Sequence, residues 1–284
     1  MKKFQLGAFL ESFRTDTTEA IKQVSNLGLD GFQMGANYGK YTPENMSKSD
    51  RKELLSLVKG YGLRFSALCS DFGHGFMEPK MNRELIERTL RIAEMALDLE
   101  TTIITTHIGV IPIDPEHERY KIMLDACYTL AQSADRMGVV LAIETGPETA
   151  QVLKVFLDII SCKGIGVNMD PANLVMTIGD DPVKAVYTLK DYIVHTHAKD
   201  GRRLIETDIE ILYGVIEGAI KDAVYFEELP LGQGDVDFNG YLNALADIGY
   251  NGFLTIEREV GENPADDIKL ARDFLKLRME QLCS

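Results

Sequence analysis

Eight short apolar runs recur along the chain, and each is followed by a longer stretch with helical spacing. Residues 4–9 open the series, followed by an amphipathic stretch over 17–27 that Gly28 closes. The later runs cover 31–34, 65–69, 102–107, 139–144, 165–169, 192–197 and 253–257. Helices are expected over 49–61, 83–99, 116–137, 148–160, 182–190, 238–248 and 265–282. Runs such as VVLAI and GFLTI are nearly all apolar, as in strands covered on both faces. Repeated strand–helix units of this kind build a doubly wound sheet or a closed barrel. Eight units in 284 residues favour an α/β fold of the (β/α)8 TIM-barrel type, as one domain over 1–284. No linker-like tract divides the chain. No glycine-rich dinucleotide fingerprint follows the first strand, which weighs against the doubly wound alternative.

The ends of these runs carry the chemistry. The fourth ends in His107, the fifth in Glu144, and the sixth runs into Asp170. The seventh carries His195 and His197, and the eighth ends in Glu257. In such a barrel the C-terminal strand ends share one rim, where sites are built. A charged group at the end of an apolar strand is costly unless paired or bound to a metal. Three carboxylates at one rim repel one another, and a divalent cation removes that conflict. Glu144, Asp170, Glu257 and one imidazole, His197, form a four-ligand set rich in oxygen. It suits Mn2+, Mg2+ or Co2+ better than a structural Zn2+ site. One divalent ion is expected, Mn2+ by preference, with Mg2+, Co2+ or Zn2+ as alternatives. Taken singly, each acid has a plainer reading; Asp170 before Pro171 can simply cap a turn.

Alternation along a strand puts His195 and His197 on the same side. His197 lies nearer the rim. His195 either contacts or orients the site, or is a satisfied core histidine. His107 is expected against substrate or, in a site with more metals, as a ligand.

Net charge is −14, which repels nucleic-acid phosphates at long range, and no basic patch offsets it. Cys69, Cys127, Cys162 and Cys283 form no C-x-x-C pair, and the first three sit in or beside apolar patterns. The basic start is followed by an apolar stretch broken at Gln5 and Glu11, unlike a signal peptide, and no segment reaches membrane-span length. A cytoplasmic protein with a small-molecule partner is expected, with no nucleic acid and no membrane; a homo-oligomer stays open.

The runs IETGPET (143–149), NMDPAN (168–173), HTHAKD (195–200), GQGDVDF (232–238) and TIERE (255–259) resemble the sugar phosphate isomerase/epimerase family of xylose isomerase-like barrels. Ketose 3-epimerases, hydroxypyruvate isomerase, myo-inosose dehydratase and endonuclease IV belong to that group. The likeness spans the chain, with its specific motifs between the fourth and eighth strands. It implies a xylose isomerase-like barrel in which Glu144, Asp170, His197 and Glu257 hold the metal. It further implies that Glu144 and Glu257 are the acid/base pair and that Arg203 contacts substrate. Asn173 stands where the epimerases and endonuclease IV carry a histidine, and Gln33 ends the second strand in place of a carboxylate. Too few histidines remain for a three-metal phosphodiesterase.

The expected reaction is proton transfer next to a carbonyl of a sugar, sugar phosphate or polyol ketone, through a metal-stabilised enediolate. Epimerisation, aldose–ketose exchange and an inosose-type dehydration all share that chemistry; a metal-dependent phosphoesterase is a more distant alternative. Substrate contacts are expected from His74, His107, Asn173, His195, Lys199 and Arg203. For Lys199 and Arg203 the plainer reading is a solvated loop charge. The segment 72–76 reads as a lid or an ordinary rim loop. Gly232 and Gly234 either offer amides to a phosphate or shape a turn with Asp237 as N-cap. The long segment 198–234 is expected to hold a helix over 207–221, as a substrate cover or dimer contact.

Overall fold

The computed structural model describes residues 4–282. Its strands are β1 (Gln5–Phe9), β2 (Gly31–Gly35), β3 (Arg64–Cys69), β4 (Ile103–Thr106), β5 (Val140–Glu144), β6 (Ile165–Met169), β7 (Ile193–Ala198), β8 (Asp200–Arg203), β9 (Phe226–Leu229) and β10 (Phe253–Ile256). β1 to β7 and β10 pair in parallel, and β10 lies between β7 and β1, so the sheet closes into an eight-stranded barrel. β8 and β9 form a separate antiparallel hairpin. Cys283, one of the four cysteines, lies outside the described residues.

The helices are α1 (Thr17–Asn26), α2 (Lys48–Gly60), α3 (Pro79–Asp98), α4 (Glu118–Met137), α5 (Ala150–Ile160), α6 (Pro171–Asn173), α7 (Pro182–Thr188), α8 (Ile209–Leu212), α9 (Phe238–Asp247) and α10 (Pro264–Gln281). Their starts follow capping chemistry. Asp16 accepts from the amides of Thr18 and Glu19, Ser47 and Asp50 form a capping box, and Asp237 caps α9. Gly138 ends α4 at φ 75°, a left-handed conformation that favours glycine. On α5, Leu153, Phe156, Leu157 and Ile160 turn one stripe toward the sheet. Burying each such side chain contributes roughly 1.5–3 kcal/mol.

Parallel register sets the level of the rim. Glu144 pairs with Asn168, Asn168 with His195, and Thr255 with His197. The barrel interior beneath is unusually polar. Ser66, Thr105, Asn168, His195 and Thr255 are all buried there, where branched aliphatic residues are usual. Each needs a partner, and those partners hold the site from below.

The expected helix over 207–221 is not formed. Only Ile209–Leu212 is helical, and the stretch up to β9 runs in turns. Ile216, Ile220 and Val224 are exposed, so no apolar face is buried to stabilise a longer helix.

Candidate metal centre

Glu144, Asp170, His197 and Glu257 converge, with one ligand atom from each lying within 4.8 Å of the others. All four are buried. His197 Nδ1 faces the three carboxylates, at 3.2 Å from Glu257 Oε2, 3.4 Å from Asp170 Oδ2 and 3.5 Å from Glu144 Oε1. Burial alone would favour a neutral His197. Glu257 and Glu144 outweigh it and hold the imidazole well above its ordinary pKa. Three carboxylates gathered around one imidazole could hold a cation. Three oxygens and one nitrogen fit a hard divalent ion.

The other ring nitrogen fixes the imidazole. His197 Nε2 lies 3.0 Å from Gln33 Oε1, and Gln33 Nε2 donates to Thr105 Oγ1 at 3.1 Å. With Nε2 directed to Gln33, Nδ1 is the nitrogen that faces the carboxylates. Asn168 Nδ2 donates to Glu144 Oε2 at 3.0 Å, and Asn173 Nδ2 donates to Glu144 Oε1 at 3.0 Å. Asp170 is both cap and candidate ligand: Oδ1 accepts the Asn173 amide at 2.9 Å while Oδ2 faces His197.

Lys199 stands behind Glu257. Its Nζ donates to Glu257 Oε2 at 3.1 Å and to Glu259 Oε2 at 2.6 Å, with Glu228 at 4.0 Å. Burial raises the Glu257 carboxyl, but Lys199 and then His197 dominate and hold it well below the carboxylate range. Glu228 also pairs with Arg258 at 2.6 Å, and Arg258 with Asp267 at 2.8 Å.

A cavity of about 320 Å³ opens beside this cluster, with Glu144 and Glu257 in its lining. His107, Asn173, Lys199, Glu144 and Glu257 line it, with Phe9, Asp71, Tyr213 and Phe226 among the other walls. His107 Nδ1 lies 2.9 Å from Asp71 Oδ2, and its Nε2 lies 3.6 Å from Glu144 Oε1. Burial works against the imidazolium, yet Glu144 and Asp71 raise its pKa to about 10. Beside this wall, Glu148 is buried with neither carboxyl oxygen hydrogen-bonded, and burial pushes it up to about 8.

His195, Arg203 and His74, expected against substrate, lie outside the cavity lining. His195 lies below the cavity: Nδ1 meets Asn168 Oδ1 at 2.8 Å and Nε2 meets Thr255 Oγ1 at 3.0 Å. Burial and then His197 hold it well below its ordinary pKa, so it is neutral and supports Asn168 from beneath. Arg203 sits in the β8–β9 hairpin, pairs with Glu206 at 3.2 Å, and is outside the cavity lining. His74 is on an exposed turn and is likewise outside that lining. Phe72 and Phe76 around it are buried, and the Phe76 amide donates to the Ile108 carbonyl, so 72–76 packs as a rim loop. The amides of Gly232 and Gly234 both donate to Asp200 Oδ2, at 2.8 and 3.0 Å. They shape a turn and are closed to an outside anion. A side chain at Gly234 would run into Asp200 and the Gly201 backbone.

Sequence reasoning passed over Asn168, Asp71, Glu228, Glu148 and Tyr213. Asn168 had a signal, since it is two residues before Asp170 on a strand and level with Glu144. Tyr213 had none, because it arrives on an irregular excursion.

The model of the xylose isomerase-like TIM barrel family matches residues 21–278. Among solved structures, a xylose isomerase domain protein from Planctomyces limnophilus superimposes with TM-score 0.81 at 22% identity, covering 99% of this chain and 98% of that one. The probable 3-DHS dehydratase AsbF, involved in petrobactin synthesis, from Bacillus anthracis gives 0.75 at 16% identity, covering 96% and 99%. D-Psicose 3-epimerase from Clostridium cellulolyticum H10, solved with D-tagatose, gives 0.73 at 16% identity, covering 97% and 99%. No curated protein sequence matches this chain.

Proposed function

This chain belongs to the xylose isomerase-like TIM barrel family, and from that premise we propose that it is a metal-dependent isomerase or epimerase acting on a sugar or polyol ketone. The observation that carries the reading is the pair Glu144 and Glu257, both facing His197 Nδ1 at the floor of one cavity. Glu144, Asp170, His197 and Glu257 would hold one divalent cation, with Mn2+ preferred. Such an ion would supply Lewis acidity toward a ketone oxygen and the charge that develops on it.

The chain's own residues do the rest. Glu257, kept ionised by Lys199, would take a proton from the carbon beside the carbonyl. Glu144, gripped by the side-chain amides of Asn168 and Asn173, would return one. A positioned acid or base contributes roughly 10²–10⁴-fold per transfer. Two carboxylates working on opposite faces give epimerisation; one working alone gives aldose–ketose exchange. His107 lends weight to a second reading, a dehydratase. Its Nδ1 lies 2.9 Å from Asp71 Oδ2 at the cavity wall, and from there it would pass a proton to a departing β-hydroxyl. The free Cys69, Cys127 and Cys162 accord with a cytoplasmic setting. Among the described residues no helix is long and apolar enough to cross a membrane.

The test is solvent deuterium incorporation. Mn2+-loaded protein is incubated in D2O with ketoses, their phosphates and inososes, and proton NMR is read for loss of one carbon-bound proton. Exchange at a single carbon, abolished by Glu144→Gln or Glu257→Gln, is expected. No exchange with any member of the panel would refute the reading.

A further inference from the structure

The charge around the cavity points to the kind of ketone it admits. Asp71, Glu144, Glu257 and Glu259 line the cavity, and Asp170 lies beneath it. Lys199 and His107 are the cationic groups in that lining, and both are already engaged. Lys199 is bound by Glu257 and Glu259, and His107 by Asp71, with Glu144 beyond. Counting a protonated His107, Lys199 and a divalent ion, these five acids still leave the mouth one negative charge in excess. Three arginines beyond that lining are paired with acids as well. Arg203 pairs with Glu206, Arg258 with Glu228 and Asp267, and Arg119 with Glu210.

The turn that could cradle a phosphate already holds a carboxylate of this chain. Asp200 accepts from the amides of Gly201, Gly232, Gly234 and Val236. Phe9, Met176, Leu212 and Phe226 add apolar walls against which the C–H faces of a sugar can rest.

We propose that the substrate is an uncharged polyhydroxy ketone, and that its phosphate esters are excluded by the acidic mouth and the Asp200-filled turn. This rests on the reading of the site as an enolising metal centre.

The experiment pairs neutral ketoses of five and six carbons with their terminal phosphate esters. Each is given to Mn2+-loaded protein in D2O. Two signals are read: deuterium exchange, and broadening of ligand resonances by the bound Mn2+, which reports binding without turnover. The expected result is exchange and broadening with a neutral ketose, at an efficiency at least tenfold above that of its ester. Equal or better exchange with the ester overturns the charge selection and leaves the enolising centre standing. Broadening of neutral ketoses alone, with no exchange anywhere, keeps the charge selection and overturns the enolising centre. A panel in which nothing binds overturns both. Glu259→Gln, at a side chain 63% exposed, removes one acid and loosens Lys199. It is expected to narrow the gap between ketose and ester at least threefold; an unchanged gap counts against the proposal.

Discussion

Lys199 Nζ lies 3.1 Å from Glu257 Oε2, with the lysine side chain only 4% exposed. A buried amine behind a carboxylate ties two things together: the charge state of the proposed base and the stability of the rim. Removing one partner of a buried ion pair costs about 3–5 kcal/mol, because the other charge is left uncompensated. Lys199→Met is therefore expected to lower stability by that order in denaturant unfolding. It should also raise the Glu257 pKa, moving the acid limb of the pH–rate profile upward. The double variant Lys199→Met/Glu257→Gln should recover much of the stability and none of the activity. Equal stability of Lys199→Met and the parent would show that the pair carries little.

Gln33 stands on β2 where the family resemblance implies a carboxylate, and it holds His197. Its oxygen accepts from Nε2 and leaves Nδ1 free for a metal. Loss of such a supporting contact typically costs about 10–100-fold in metal affinity. Gln33→Leu is expected to weaken Mn2+ binding by that factor in calorimetric titration, while Gln33→Glu, which keeps an acceptor, should weaken it less.

Glu148 gives stability a pH dependence of its own. Its folded pKa is raised from 4.5 to about 8 by burial. Its contribution is therefore complete below the unfolded pKa near 4.5 and is lost as pH rises through about 8. The loss is on the order of a few kcal/mol. Unfolding of the parent between pH 5 and 9 should show this decline, and Glu148→Gln should flatten it and be the more stable protein at the alkaline end. An identical pH profile for both would exclude Glu148 as its source.

Asp200 closes the excursion between β8 and β10 by accepting four amides. Asp200→Ala leaves these donors without a partner, at roughly 1–3 kcal/mol for each that water cannot reach. Faster proteolytic cutting within 204–225, with slower loss of the barrel core, is the expected outcome of a timed digest.

The barrel and its rim were legible because both rest on local pattern. Nearly all-apolar runs mark strands covered on two faces, and an acid or histidine at the end of such a run has nowhere to go but the rim. Glu144, Asp170, His197 and Glu257 could be read one strand at a time. Arg203 and His74 could not, since they sit on connections whose course is set by tertiary contacts. Arg203 follows a hairpin fixed by Asp200 and by pairing with 226–229. The same holds for the missing helix over 207–221, where apolar spacing was present but no surface was available to bury it. His195 shows a subtler limit. Alternation correctly put it on the same side as His197, but depth along the strand, two residues lower, separates a cavity wall from the floor beneath it.

The most direct test of the account compares metal-stripped protein with the same protein reloaded with Mn2+, reading deuterium incorporation into a neutral ketose by proton NMR. The account predicts exchange at one carbon in the reloaded protein, and none above background in the stripped protein or in reloaded Glu257→Gln. Exchange that persists at the same rate after stripping, or in Glu257→Gln, would contradict it.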